Sequence, residues 1–248
     1  MASIPERELT HKPLKEEIFD ALHRQIIAGK YAPGDWLRQE EIAGQMGVSM
    51  TPVREALDLL VAKGIAERVP YRGVRVREMS TKDILEAYSL RLLLEAIIAR
   101  EAAENISPEQ LTALGKIMEE MDRHVELNQM PQERQLSREF HDAIAAASGN
   151  DLLIQLYALV SNAFPDWLLY EALFRNPELL AGSVAQTHDE HTAILEALKN
   201  RDADKAVQVS LEHVMESGRW LENYLHVPTK LLREKEKQVT HLIKKSSK

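Results

Sequence analysis

The chain reads as mostly α-helical: a short helix, helix-turn-helix and β-hairpin segment, then an all-α antiparallel helical bundle. Three observations carry this. Residues 14 to 62 fall into runs of helical spacing punctuated by glycine, residues 65 to 76 hold two alternating apolar stretches, and beyond Ser80 apolar residues keep a helical period with little glycine.

A length of 248 residues admits one or two domains, and the absence of cysteine excludes disulfides, thiol nucleophiles, thiolate zinc sites and iron–sulfur clusters. No apolar run approaches the ~18 residues a membrane span needs, and the N-terminal stretch Met1 to Thr10 is polar, so a cytoplasmic protein is expected. The net charge of −8 is unevenly spread. Residues 1 to 78 hold twelve basic and twelve acidic side chains, 79 to 227 twelve and twenty-five, and 228 to 248 seven and two. An acidic body repels nucleic acid, so any duplex contact belongs to the first segment. These shifts suggest domains at 1–78 and 79–227, with 228–248 a basic C-terminal helix or tail, solvated rather than a contact surface.

Within the first segment, Leu14, Ile18, Ala21, Leu22 and Ile26 share a helical face, and Gly29 with Tyr31-Ala32-Pro33-Gly34 ends it, giving a helix over 14–28. A second helix spans Gln39 to Met46 and stops at Gly47, the residue a sharp inter-helix turn favours. Ser49 or Thr51 caps a third, Pro52 suits its first turn, and Val53, Leu57, Leu60 and Val61 form its apolar stripe. Met50, Thr51, Arg54 and Asp58 are left facing outward. Ile65 to Val69 and Val74 to Val76, joined by Pro70-Tyr71-Arg72-Gly73, read as a hairpin wing. The whole is a winged helix-turn-helix, whose third helix fits the major groove while the wing tip reaches phosphates or the minor groove.

These residues also resemble the GntR family of bacterial transcriptional regulators. The likeness lies in Ile27-Ala28-Gly29-Lys30-Tyr31-Ala32-Pro33-Gly34-Asp35-Trp36-Leu37, Glu41-Ile42-Ala43, Gly47-Val48-Ser49-Met50-Thr51-Pro52-Val53-Arg54-Glu55-Ala56-Leu57 and Arg72-Gly73-Val74. It implies DNA contacts from Ser49, Met50, Thr51 and Arg54, from Arg72 on the wing, and from Arg38. Relatives usually place arginine at the position of Met50 and often a basic residue at that of Glu40, so an unusual operator is expected, with methionine reaching a thymine methyl.

From Ser80, breaks at Ser107-Pro108, Met130-Pro131, Gly149-Asn150, Asn176-Pro177 and Asn200-Arg201-Asp202 leave six helices over residues 80 to 226, with Thr81, Ser107, Asn150 or Asp151, and Asp202 as expected N-caps. Arg91-Leu92-Leu93-Leu94-Glu95, Phe140-His141-Asp142-Ala143-Ile144, Ser148-Gly149-Asn150, His191 to Leu198, and Asp202-Ala203 with His213 resemble the FadR-type C-terminal (FCD) domain, an effector-binding bundle. Many members of that subgroup hold a divalent metal through three histidines and an acidic or amide residue four positions before the first. Here the three map to His141, His191 and His213, while Ser137 stands in the fourth place and has no carboxylate, so a three-histidine site completed by water is expected. Imidazole nitrogen suits zinc, nickel, copper or iron, with zinc or nickel the leading expectation. Arg91, with Ser137 beside the centre, is the expected handle for a small carboxylate effector. His23, His124, His188 and His226 read as surface or packing residues, His188 with a possible place behind His191.

Together these features imply a cytoplasmic, ligand-responsive regulator, a repressor more often than an activator, binding a near-palindromic double-stranded DNA operator as a homodimer. Two rivals stand beside it. Three histidines with an open position also describe a metal-dependent hydrolase or lyase, against which stands the lack of a His-Glu-x-x-His helix, a nucleophile elbow or a phosphate loop; a DNA-bound scaffold with no ligand is the other.

Overall fold

The computed structural model describes residues 13–124, 126, 129–164, 173 and 176–246, so the polar N-terminal stretch lies outside the described residues. The chain divides into two compact units at Glu78 and Met79.

In the first unit, α1 (Leu14–Ile27), α2 (Gln39–Met46) and α3 (Met50–Ala62) pack around Leu22, Ile26, Ile42, Leu57 and Leu60, all but inaccessible to water. α1 stops one residue before the expected end, because Gly29 takes the left-handed conformation (φ 73°). Gly47 does the same after α2 (φ 66°) and turns the chain into α3. Ser49 holds the N-cap position of α3 by its extended backbone, but its side chain makes no capping bond. Ala56 is buried within the stripe, and Val61 only partly so. β1 (Ala66–Val69) and β2 (Gly73–Val76) form the antiparallel wing with Ala66 opposite Val76 and Val69 opposite Gly73. Residues 34 to 37 add an unexpected third edge. Leu37 N–H donates to the Val74 carbonyl at 2.9 Å, Val76 N–H donates to the Asp35 carbonyl at 2.8 Å, and Trp36 bridges Arg75.

The second unit is helical throughout its described residues: α4 (Thr81–Asn105), α5 (Pro108–Met121), α6 (Met130–Ala147), α7 (Asp151–Ala163), a 3₁₀ turn at Pro177–Leu179, then α8 (Leu180–Lys199), α9 (Ala203–Leu225) and α10 (Thr229–Ser246). Ser80, not Thr81, caps α4: its hydroxyl accepts the Asp83 N–H while the Asp83 carboxylate returns to the Ser80 N–H at 3.0 Å. Ser107 makes the equivalent box with Gln110, and Asn150 and Asp202 cap α7 and α9 as expected.

α4 is the spine of this unit, packing against α6, α7, α8, α9 and α10. One cluster, with Phe140, Ile106 and Leu114 at its heart, lies among α4 to α9; the other, around Tyr88 and Leu92, is closed by α10. That last helix is therefore neither frayed nor fully solvated. It buries Leu232 and Val239, and its Glu236 accepts the Tyr88 hydroxyl at 2.9 Å inside the core. Gly218 on α9 makes the approach possible, because a Cβ there would stand 2.8 Å from Tyr88 Cζ.

Candidate metal centre and nucleic-acid interface

The outer face of α3 is polar and accessible where the sequence places it. Thr51 and Arg54 are exposed one helical turn apart, Ser49 is exposed just before the helix, and Met50 is 47% exposed, unusual for so apolar a side chain. The third edge of the wing brings two further expected residues together. The Trp36 indole sits under both Arg38, at 5.3 Å from its ring centre, and Arg72, at 5.7 Å. Both guanidiniums are thereby loosely fixed while their donors stay in water, an arrangement suited to phosphate. Asp58 is paired to Arg68 of the wing, and Glu67 to Arg75, so neither acid stands unpaired at this surface.

Within the bundle, His141 comes from α6, His191 from α8 and His213 from α9. All three are buried, and one ring nitrogen of each lies within 4.8 Å of the others. His141 Nε2 and His191 Nε2 face each other at 3.2 Å, close to the ~3 Å separation that two nitrogens on one ion adopt at ~2.0–2.1 Å bonds. His213 Nδ1 is taken by Glu190 Oε2 at 2.7 Å, which leaves its Nε2 as the nitrogen able to ligate. Phe140 stacks on His191 at 4.6 Å and limits how that ring can turn. His191 Nδ1 is buried with no hydrogen-bond partner among the described residues. Burial, then the repulsion that a second charge beside His213 would meet, holds the His141 pKa well below the ordinary histidine value, and burial likewise lowers His191. Both rings are therefore neutral near pH 7 and keep the lone pairs a metal needs. The donor set fits a divalent ion.

A cavity of about 140 Å³ opens beside this centre. His141 and His213 form part of its wall, with Ser137 and Arg91 as the sequence places them, and Arg134 and Arg138 from the same face of α6. The arginine expected to serve as a handle already has a partner. Arg91 Nε donates to Glu95 Oε1 at 2.6 Å, both side chains are buried, and the guanidinium lies 4.7 Å from the Phe164 ring centre. Any effector carboxylate must share it with Glu95. His188, weighed as a residue behind His191, instead pairs with Asp122 at 2.7 Å. Glu190 holds a histidine instead, though on His213. Its place next to His191 in sequence gave the only hint, and the His213 contact spans two helices.

A winged helix-turn-helix joined to a helical bundle with a buried histidine centre is the build of a ligand-sensing DNA-binding regulator. Comparison with known proteins agrees. Residues 14–76 match the bacterial regulatory proteins of the gntR family, and residues 86–216 match the FCD domain. The chain is 30% identical over 241 residues to the transcriptional repressor NanR of Klebsiella aerogenes, covering 88% of this chain and 90% of the relative. It is 29% identical over 199 residues to the transcriptional regulator McbR of Escherichia coli, covering 79% and 87%. The solved structure of E. coli McbR/YncC shares the fold with a TM-score of 0.65 at 24% identity, covering 86% of this chain and all of the other. This protein belongs to the GntR family of transcriptional regulators, in the group that carries an FCD effector-binding domain, and it is not an enzyme. FCD domains commonly bind metal, in keeping with the three neighbouring histidines. Among the described residues no helix is long and apolar enough to cross a membrane.

The depressed histidines make a stability prediction for chelator-treated protein. Below about pH 6.5 the unfolded chain takes up protons that His141 and His191 refuse in the folded bundle, so their contribution is complete above that value and is lost as the pH falls towards their lowered pKa values. The melting temperature should drop between pH 7.5 and 5.5, and His141→Gln should flatten the slope. A melting temperature constant across that window would contradict the buried neutral assignment.

Proposed function

We propose that this regulator is a cytoplasmic repressor that binds a near-palindromic operator as a homodimer and releases it when a small carboxylate enters the bundle beside a divalent metal. The observation that carries the sensing half is the shared wall of the cavity. His141 and His213 meet three arginines there, Arg91, Arg134 and Arg138, with the hydroxyls of Ser137, Ser161, Ser183, Thr187 and Ser217. Arginines select an anion and hydroxyls reward oxygen substituents. A space of this size holds a ligand of roughly benzene's bulk, which favours a short hydroxy acid or sugar acid. His141, His191 and His213 would hold the ion, zinc or nickel by their nitrogen donors, and it would offer an open position to an anionic oxygen. Glu133, Glu190 and Glu216 on the same wall would disfavour longer polyanions.

Repression is supported by the relative named a repressor, and dimerisation by two apolar stripes. Leu152, Leu156 and Leu159 lie 65%, 43% and 67% exposed along α7, and Leu90 and Ile97 lie 48% and 39% exposed along α4. Glu101, one turn beyond Ile97, meets Asn150 at the start of α7 at 3.3 Å, so the stripes run on neighbouring helices. A self-complementary face of this kind suits a two-fold pair, which in turn suits two half-sites. Introducing Leu156→Glu together with Leu159→Glu should convert a dimer into a monomer in sedimentation velocity. A dimer that survives both changes removes this face.

On the DNA side, Arg54 would read a base or phosphate from the major groove, Thr51 and Ser49 the backbone, Met50 a methyl group, and Arg38 and Arg72 the flanking phosphates or minor groove. Selection from random duplexes at modest salt should yield a palindromic site. For that site Arg54→Ala should lose about 10–100-fold in affinity, the worth of one bidentate contact, and Met50→Arg should select a different sequence. Failure to select any duplex, or unchanged binding by both variants, would overturn this reading.

A further inference from the structure

Three neutral imidazoles bring no negative charge to a divalent ion, and a bundle interior solvates net charge poorly. Position 137, one helical turn before His141 and on the cavity wall, is a serine and adds none. Among the described residues, three carboxylates line the cavity. Glu216 is engaged by Arg219, and Glu133 also has an interaction of its own. Glu190 differs, because both its oxygens are fixed and one of them touches a histidine of the centre. Oε2 lies 2.7 Å from His213 Nδ1, while Oε1 accepts from Gln186 Nε2 at 3.0 Å.

We propose that Glu190 is the positioning residue of the metal centre, supplying through His213 the negative charge that Ser137 does not. This rests on the metal reading given above. A neutral imidazole carries one ring proton, and the carboxylate keeps it on Nδ1, so the lone pair sits on Nε2 and turns towards His141 and His191. The same contact makes His213 a stronger donor and brings an anion within one ring of the ion without occupying a ligand position. The position that an acid at 137 would take is thus left to water or effector oxygen. His188 does not compete for this role, since Asp122 holds it.

A purely mechanical part for Glu190, fastening α8 to α9, predicts lower thermal stability but no selective change at the ion. The discriminating experiment uses the full-length protein, freed of metal and then titrated with zinc against a chromophoric chelator and with cobalt(II) for its visible spectrum. Wild type is compared with Glu190→Gln, Glu190→Ala, and Glu190→Ala combined with Ser137→Asp. Loss of the carboxylate should weaken zinc about 10–100-fold and alter the cobalt bands, with glutamine, which still accepts the Nδ1 proton, weakening it less. Aspartate at 137, on the cavity side of α6, should restore part of the affinity lost in Glu190→Ala. Zinc binding within twofold of wild type in Glu190→Ala, or no recovery from Ser137→Asp, overturns the assignment. A wild-type protein that takes up neither ion overturns the metal reading beneath it, an outcome distinct from a failure confined to the variants.

Discussion

The bundle is organised around a group of side chains that its interior tolerates poorly. Three imidazoles from α6, α8 and α9 are buried within about 5 Å of one another, ring centre to ring centre, and only their neutral forms or a shared cation make that arrangement stable. The surrounding packing serves this constraint. Phe140 stacks on His191 and belongs to the buried apolar cluster of the bundle, and Glu190 fixes His213. A group of polar rings with a cavity on one side is poor packing for stability alone. It gains meaning as a place where something small binds.

α4 gives that event a route to the rest of the chain. It holds Arg91 at the cavity, paired to Glu95, and Tyr88 one turn earlier, under α10, and only four residues separate its start from the end of the wing strand. A ligand that competes with Glu95 for Arg91 acts on a buried ion pair, where removing one partner is costly and so bears directly on the position of the helix. Allosteric control then requires only that the effector bind one arrangement of α4 better than another, by about 1–3 kcal/mol in typical cases. α10 itself lies beyond both matched segments while Tyr88 lies within the second, so the Tyr88–Glu236 bond ties the end of the chain to the same helix.

Local rules made much of this visible in sequence. Gly47 and Gly29 announced their turns through backbone freedom, Ser107, Asn150 and Asp202 announced helix starts through short polar side chains, and Val74 and Val76 announced an inward wing face by alternation. The histidines were legible for a different reason, their resemblance to a family pattern, since nothing in the spacing of His141, His191 and His213 makes them neighbours. Features formed between distant segments stayed hidden. The pairing of residues 34 to 37 with β2 lacks an alternating run, the Arg91–Glu95 pair looks like any exposed i,i+4 ion pair until both side chains are found buried, and the Glu190–His213 contact depends on how α8 and α9 cross. The lysines of the C-terminal helix dominate its composition and point to a solvated helix or tail, while Leu232, Glu236 and Val239 occupy one face that only a partner helix reveals.

On this reading the three histidines form one ion-binding centre. Its most direct test is X-ray diffraction from crystals of the zinc- or nickel-equilibrated protein, recorded on both sides of the metal absorption edge. A single strong anomalous peak per chain is expected, bonded to His141, His191 and His213 through their Nε2 atoms at ~2.0–2.1 Å. An empty centre in the presence of the ion, or a peak held by other residues, would contradict it.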